Sequence, residues 1–277
     1  MAPKRLRESQ APSRRGYDPN WKVMQKTRAH VVSFENYEET AKEITIAYRS
    51  ALHRFGYVHG VGIPDGFDYP GFLAEFGAFY PGPSGNVIED VKAEAGMDDV
   101  YYGSNRRALL PHTEGYEFTD LPPRYLALWC VTPPAGAGGE TTLFDARDVV
   151  QQLPAADRQI LEREVLGWVS SAGLRRKGIG QESVHPILET VHDEQLLRFS
   201  LNNIVLPAGS DRVELFLERV RQEFEAGHNA VSYERNDLLH WDNWRVLHSR
   251  TAFEDPQRHL RRIQIRHWSD GRAAAEA

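Results

Sequence analysis

Three side chains of this sequence have the chemistry to hold a divalent metal ion. His112 and Glu114 stand two positions apart, and on a β-strand two such side chains point to the same face. Two ligands alone hold such an ion poorly, so a third must come from elsewhere, and His248 is the best candidate. Two histidines and one carboxylate are typical of non-haem iron(II) sites, which leave coordination positions open for a keto acid and dioxygen.

Each part of this set is a weak signal when it is taken alone. A His-x-Glu triplet arises often by chance, and a lone histidine such as His248 is more often a core or surface residue than a ligand. Zinc hydrolases also use two histidines and a glutamate, but with a helical HExxH spacing that this sequence lacks. The metal prediction therefore depends on further residues that fit the same chemistry.

Two arginines stand in a strand predicted over residues 260–268. Arg262 and Arg266 would share one face of it, and guanidinium groups that point into a barrel need an anion there. The planar fork of arginine suits the distal carboxylate of a dicarboxylate co-substrate. Thr141 follows a glycine turn and could donate its hydroxyl to the same carboxylate. The alternative is an exposed edge strand whose arginines face water.

These motifs follow one another in a fixed order: His-x-Glu, Gly-Gly-Glu-Thr, Asp-Asn-x-x-Val-Leu-His, and then the arginine strand. In this ordered set the sequence, over roughly residues 50–268, resembles the taurine dioxygenase (TauD/TfdA) family of oxygenases. The resemblance implies iron(II) as the metal, with 2-oxoglutarate and dioxygen as co-substrates. It also implies a double-stranded β-helix, the jelly roll shared with cupins, as the core.

The resemblance assigns roles to individual residues. The implied iron ligands are His112, Glu114 and His248. The implied 2-oxoglutarate contacts are Thr141 and Arg262 at the distal carboxylate, with Arg266 near the metal-binding end. Thr142 is an alternative to Thr141, because adjacent threonines leave the alignment ambiguous by one residue.

The carboxylate ligand also carries information on the reaction. Most family members have aspartate there, and Glu114 is similar to the branch that contains clavaminate synthase and the asparagine and arginine hydroxylases. This implies oxidation of a C–H bond, by hydroxylation, desaturation or cyclisation, in an amino acid or a derivative of specialised metabolism, free or tethered to a carrier. The related halogenases have alanine or glycine at this position, so Glu114 argues against halogenation. The alternatives are a non-redox cupin-like metalloenzyme and a catalytically silent binding protein on the same fold.

Substrate contacts are expected near the predicted barrel mouth. Residues 84–111 are predicted to be irregular and run directly into the metal motif, where a lid would lie. The candidate substrate-binding residues are Tyr102, Asn105, Asn203 and Asp242. A plain loop or capping role is the alternative for each of them.

The elements that must position these residues follow from hydrophobic periodicity and turn residues. Helices are predicted over 35–54, 70–80, 146–164 with a break at Pro154, and 213–227. Strands are predicted over 55–63, 124–131, 140–144, 197–201, 237–241 and 260–268. Strands dominate the centre and helices lie early and late, which predicts a mainly β protein with flanking helices, of the α+β class.

Composition excludes several classes of partner. A net charge of −6 argues against a nucleic acid or an anionic membrane, and no apolar run approaches the ~20 residues of a membrane span. The single cysteine, Cys130, cannot form an internal disulfide and fits a cytoplasmic protein. We expect a small-molecule substrate and one oxygenase domain over residues 21–270. It would lie between a disordered basic tail (1–20) and a frayed C-terminus (271–277).

Overall fold

The computed structural model of the chain describes residues 4–5, 30–82 and 84–267. The expectations for a disordered tail over 1–20 and a frayed end over 271–277 therefore lie outside the described residues. Within residues 1–20 only the backbone of Lys4–Arg5 is described, as a two-residue strand that pairs with residues 205–206.

The described residues form six helices and seventeen strands. The helices are α1 (Tyr37–Phe55), α2 (Tyr69–Ala74), α3 (Arg147–Gln151), α4 (Ala155–Arg163), α5 (Ala172–Arg176) and α6 (Asp211–Gly227). The strands are β1 (Lys4–Arg5), β2 (Val31–Ser33), β3 (Tyr57–Val61), β4 (Phe79–Tyr80), β5 (Ile88–Lys92), β6 (Leu109–His112), β7 (Tyr125–Thr132), β8 (Thr141–Asp145), β9 (Leu166–Val169), β10 (Glu182–His185), β11 (Leu188–Val191), β12 (Glu194–Leu197), β13 (Ile204–Leu206), β14 (Asn229–Val231), β15 (Leu238–Asp242), β16 (Val246–Arg250) and β17 (His259–Ile265).

Two sheets form the centre of the protein. The larger has the order β2-β3-β15-β7-β17-β4, with β5 also pairing with β17, and the smaller has the order β14-β8-β16-β6. Apolar side chains of both sheets pack in one cluster between them, including Leu126 and Leu128 of the larger and Leu143 and Val246 of the smaller. Because strand side chains alternate between faces, each sheet also has an outer face to bury. The predicted mainly β class with a jelly-roll core is confirmed.

Helices cover the outer faces. The amphipathic α1 places Tyr48 and its buried neighbours against α2 and against Ile263 and Ile265 of β17. The opposite outer face, represented by Leu247 of β16, packs in a second cluster with α6 and the strands of residues 166–206. The space between the two sheets holds the apolar cluster described above together with inward-facing polar side chains such as Thr141 and His248. No helix in the described part of the chain is long and apolar enough for a membrane crossing.

The local predictions differ from the structure in three places. The predicted helix over 70–80 ends at Ala74, because Gly77 approaches β17 so closely that a Cβ there would lie 2.5 Å from the carbonyl oxygen of Arg266. The segment predicted to be irregular contains β5, an edge strand on β17. The strand predicted over 197–201 instead lies at Glu194–Leu197. Helices α1 and α6, and the break at Pro154 between α3 and α4, are confirmed.

Candidate active site

The three predicted metal ligands meet at one end of the smaller sheet. His112 ends β6 and lies directly opposite His248 of β16, while Glu114 follows two residues later. One ligand atom from each residue lies within 4.8 Å of the others. The Glu114 Oε2 atom is 3.9 Å from His112 Nε2 and 3.7 Å from His248 Nε2. The structure therefore brings together the two-histidine, one-carboxylate set that the sequence predicts.

His112 presents Nε2 to the metal position. His112 Nδ1 lies 2.8 Å from the carbonyl oxygen of Leu110, which assigns the proton to Nδ1 and leaves the lone pair on Nε2. Burial, together with the neighbouring His248, lowers the pKa of His112 to about 3, so the ring is neutral at neutral pH. Two imidazoles beside an ionised carboxylate are a donor set that fits iron(II).

The carboxylate of Glu114 is oriented from β17. Its Oε1 atom accepts a hydrogen bond from Arg262 Nη1 at 2.7 Å and lies 3.5 Å from Gln264 Nε2. Burial alone would raise the pKa of Glu114, but the charge of Arg262, with a smaller contribution from His248, outweighs it and holds the pKa well below its usual range. The other oxygen, Oε2, faces the two histidines and is the atom available to a metal.

The other terminal nitrogen of Arg262 binds a second carboxylate. Its Nη2 atom donates to Glu89 Oε2 at 2.6 Å, and the two residues are cross-strand partners on β17 and β5. Among the described residues no hydrogen bond joins Arg262 to Thr141. Arg266, the other predicted contact, lies with its guanidinium 4.2 Å from the ring centre of Tyr80.

Thr141 belongs to a different polar cluster inside the barrel. Its hydroxyl lies 2.7 Å from that of Tyr233, and both residues are buried. Arg258, four residues before Arg262, is 1% exposed. Burial raises the pKa of the Tyr233 hydroxyl, and the charge of the nearby Arg258 offsets part of that rise. Thr142 faces away from this cluster, and its hydroxyl has no partner among the described residues. Thr141 is thus the threonine that points between the sheets.

Arg258 lacks a carboxylate partner in the described structure. Its Nε donates to the carbonyl oxygen of Gly139 at 3.1 Å, whereas its Nη1 is buried without a partner. A Cβ on Gly139 would lie 2.9 Å from Arg258 Nε, so the glycine lets the guanidinium approach the backbone. Burial lowers the pKa of Arg258, which is the sign of a charge that lacks an anion.

A second buried guanidinium lies beside it. Arg250 donates to the carbonyl oxygens of Gly103 and Arg107, and it forms no ion pair among the described residues. The ring of Phe253 lies between the two arginines, 5.0 Å from each guanidinium carbon. Burial, and then the charge of Arg258, lowers the pKa of Arg250 to about 9. Two buried cations at one place, without an acidic partner, form a site for an anion.

Two of the predicted substrate contacts serve the protein's own structure. Asn105 is 1% exposed, and its amide nitrogen donates to the carbonyl oxygens of Met97 and Val100. Asp242 accepts from Arg124 Nη2 at 2.8 Å and from the backbone nitrogen of Trp244 at 3.1 Å. These contacts fit a structural role better than contact with a substrate.

The other two predicted contacts lie in different surroundings. The ring of Tyr102 packs on Gly173, and its hydroxyl accepts from Lys177 Nζ at 3.1 Å. Asn203 donates to the hydroxyl of Tyr116 at 2.7 Å, and the Tyr116 ring lies 6.4 Å from that of His112. Of the four candidates, Asn203 has the contacts that connect it to the metal ligands.

Sequence reasoning missed several residues of this site, among them Arg258, Glu89 and Asn243. Arg258 could have been found, because it lies on the same alternation as Leu260 and Arg262 when β17 is extended backwards. Glu89 gave no signal, since its strand was not predicted. Asn243 stands in the Asp-Asn-x-x-Val-Leu-His motif, but nothing in the sequence shows that its side chain contacts the backbone of Glu114.

Comparison with known families gives this geometry a context. The model of the family described as "Taurine catabolism dioxygenase TauD, TfdA family" matches residues 22–264, which is most of the chain. This chain belongs to the TauD/TfdA family. The resemblance inferred from the ordered motifs is therefore confirmed, and this TauD/TfdA member has glutamate in the candidate metal triad.

Relatives of this TauD/TfdA protein are distant. A 3-((Z)-2-isocyanoethenyl)-1H-indole synthase of Fischerella ambigua (strain UTEX 1903) is 25% identical over 169 residues, covering 56% of this chain and 62% of the relative. The gamma-butyrobetaine dioxygenase of Homo sapiens is 24% identical over 249 residues, covering 81% of this chain and 61% of the relative. The match thus spans about three fifths of the length of these curated relatives.

A solved structure shares the fold. The crystal structure of an asparagine oxygenase in complex with Fe(II), 2S,3S-3-hydroxyasparagine and succinate superposes with a TM-score of 0.63. It is 20% identical in sequence, and the match covers 83% of each chain. At this identity the likeness establishes the common jelly-roll fold.

Proposed function

We propose that this TauD/TfdA protein is an iron(II)- and 2-oxoglutarate-dependent oxygenase that oxidises a C–H bond of an amino acid or an amino-acid derivative. The observation that carries the proposal is the combination of the triad, His112, Glu114 and His248, with a buried anion site in the same barrel. A metal-only hydrolase has no use for two buried arginines without acidic partners. A keto-acid oxygenase needs a buried cation such as Arg258 to bind the distal carboxylate of its co-substrate.

The triad would hold the iron through His112 Nε2, His248 Nε2 and Glu114 Oε2. Bound iron(II) would supply the activation of dioxygen that drives decarboxylation of the keto acid and oxidation of the substrate. The protein keeps the His112 imidazole neutral by burial, which lowers its pKa, and fixes the carboxylate of Glu114 through Arg262. A set of two histidines and one carboxylate would leave coordination positions of the iron available to the co-substrates.

The distal carboxylate of 2-oxoglutarate would lie against Thr141 and Arg258. His248 pairs with Leu143 and Arg250 pairs with Thr141, so Thr141 lies two residues farther along the same inward face. Two residues of strand correspond to about 7 Å, a separation that suits a five-carbon dicarboxylate with its keto-acid end at the metal. Arg258 has a free buried donor at this level, whereas both outer nitrogens of Arg262 are bound by carboxylates.

This arrangement gives Arg262 a different task from the one that the family resemblance implied. We propose that it orients Glu114 and bridges the carboxylates of Glu114 and Glu89, reducing the repulsion between them. Arg266, stacked on Tyr80 beyond Gln264, stays a candidate for contact near the metal-binding end of the co-substrate or with the substrate.

The substrate class is supported by the relatives. The asparagine oxygenase was crystallised with a hydroxylated amino acid, and the Fischerella relative is named for an isocyanide of an indole. We propose a small amino-acid-derived substrate, free or tethered to a carrier, that reaches the metal past Asn203 and Tyr116.

The proposal is tested by product analysis. Purified protein with iron(II), ascorbate and 2-oxoglutarate is incubated in air with a panel of amino acids, and succinate is quantified. We expect iron-dependent succinate that rises with the correct substrate, and a mass increase of one oxygen atom or a loss of two hydrogens in that compound. His112→Ala is the inactive control. Wild-type protein that binds iron but forms no succinate under any condition would contradict the oxygenase assignment.

A further inference from the structure

Glu114 lies beyond the end of the strand that carries His112. β6 ends at His112, and the backbone nitrogen of Thr113 donates to the carbonyl oxygen of Phe199 instead of to β16. Gly115 then turns the chain away with a φ of +70°. The sheet ladder therefore does not hold the backbone of the carboxylate ligand, although the position of that ligand must be fixed to a fraction of an ångström.

The side chain of Asn243 supplies the missing hydrogen bonds. Its Oδ1 accepts from the backbone nitrogen of Glu114 at 2.7 Å, and its Nδ2 donates to the carbonyl oxygen of Glu114 at 2.9 Å. Nδ2 also donates to the carbonyl oxygen of Pro123 at 3.0 Å, which anchors the amide to the segment before β7. With 1% exposure, the amide acts like a neighbouring peptide unit in a sheet.

Asn243 stands at a position in the chain that connects the segments of two candidate metal ligands. It lies in the turn that joins β15 to β16, and β16 carries His248. The amide thus connects the backbone of one ligand to the strand of another, across more than 120 residues of sequence. Arg262 holds the carboxylate from the opposite side, from β17.

We propose that Asn243 is a positioning residue for the metal site: its amide sets the distance between the Glu114 carboxylate and the two histidines. This inference rests on the proposed iron site. Loss of the amide would leave the N–H and C=O of Glu114 without their partners and would let residues 113–115 move. Metal-ligand supports of this kind typically contribute about ten- to a hundredfold in metal affinity.

The test compares iron affinity with folding stability in three variants. Asn243→Ala removes all three hydrogen bonds. Asn243→Asp keeps an acceptor for Glu114 N–H but loses the donor, and its added negative charge would by itself attract the cation. Trp244→Phe is the matched control, because it removes one buried hydrogen bond of the same turn, from Trp244 Nε1 to Pro122, without contacting Glu114. Anaerobic iron(II) dissociation constants and melting temperatures are measured for each.

We expect about a tenfold or greater loss of iron affinity in Asn243→Ala, a smaller loss in Asn243→Asp, and no loss in Trp244→Phe even where its melting temperature falls. If Asn243→Ala does not fold, weakened iron binding in Asn243→Asp supports the proposal, because electrostatics alone would strengthen it. Variants of Asn243 that fold and bind iron as tightly as the wild type would overturn the inference. A wild-type protein that binds no iron would instead overturn the proposed function itself.

Discussion

Arg262 Nη1 lies 2.7 Å from Glu114 Oε1, and this contact gives the two oxygens of the Glu114 carboxylate different partners. Oε1 is held by the arginine, while Oε2 lies 3.7 Å from His248 Nε2 and faces the metal position. The charge of Arg262 also keeps Glu114 ionised in a buried place, where a carboxylate would otherwise take up a proton.

Replacement of Arg262 should therefore weaken metal binding first. In Arg262→Gln the Glu114 carboxylate loses its main partner, its pKa rises, and we expect about a tenfold weaker iron(II) affinity. Arg261→Gln is the control, because Arg261 stands next in the same strand but is half-exposed and faces the other side. Unchanged iron affinity in Arg262→Gln, together with lost 2-oxoglutarate affinity, would show that Arg262 anchors the co-substrate instead.

Replacement of Arg258 should weaken co-substrate binding and leave iron binding intact. Arg258→Met removes the buried guanidinium that we assign to the distal carboxylate, which typically costs at least about 2 kcal/mol, or about 30-fold in affinity. In the absence of 2-oxoglutarate the variant should be as stable as the wild type or more stable, because an unpaired buried charge is lost. Titration with 2-oxoglutarate and thermal unfolding check both statements. A less stable variant with normal 2-oxoglutarate affinity would contradict them.

The adjacent threonines provide a matched pair. Thr141→Val removes a hydroxyl that points between the sheets and leaves that of Tyr233 without its partner, so we expect about tenfold weaker 2-oxoglutarate binding and a loss of about 1–3 kcal/mol in stability. Thr142→Val removes a buried hydroxyl that has no partner in the described structure and should preserve both properties. Equal effects of the two substitutions on 2-oxoglutarate affinity would speak against the assigned face.

Stability should fall in acid because of His240. This ring is fully buried among aromatic residues, and burial lowers its pKa from 6.5 to about 3. Between pH 3 and pH 6.5 the ring is therefore protonated in the unfolded state but neutral in the folded state. The contribution of His240 to the free energy of unfolding is complete above pH 6.5 and is lost as the pH falls towards 3. At pH 5 the loss from this one group is about 2 kcal/mol.

Chemical denaturation at pH 5 and pH 8 measures this effect. His240→Phe should show a smaller difference in unfolding free energy between the two pH values than the wild type does. Any constant packing cost of the substitution cancels in that comparison. An identical pH dependence in both proteins would show that His240 does not titrate on unfolding.

The sequence predicted the parts of this protein that local pattern controls. Alternation and helical periodicity located α1, α6, β7 and β15, and the i, i+2 spacing placed His112 and Glu114 near one another. β5 was not predicted because Ile88–Lys92 contains three charged residues. This segment becomes a strand through its pairing with β17.

Register limited the prediction of the co-substrate contacts. Alternation places both Arg258 and Arg262 on the inward face, but which of the two is level with Thr141 depends on the register of β17 against β7, and that ladder shifts between His259 and Leu260. That shift is a tertiary property that strand patterning does not encode. The same holds for Asn243, whose partner Glu114 lies far away in sequence. The single-domain boundaries at 21–270 stay a prediction.

The central claim is tested most directly by anaerobic titration of the purified protein with iron(II) and then 2-oxoglutarate, observed by visible absorption. A facial-triad iron(II) chelated by a keto acid has a weak charge-transfer band, and we predict that it forms in the wild type. The band should be absent in His112→Ala, appear only at much higher 2-oxoglutarate concentration in Arg258→Met, and form normally in Thr142→Val. Iron binding by the wild type without any such band would contradict the account, because the site would then hold a metal but no keto acid.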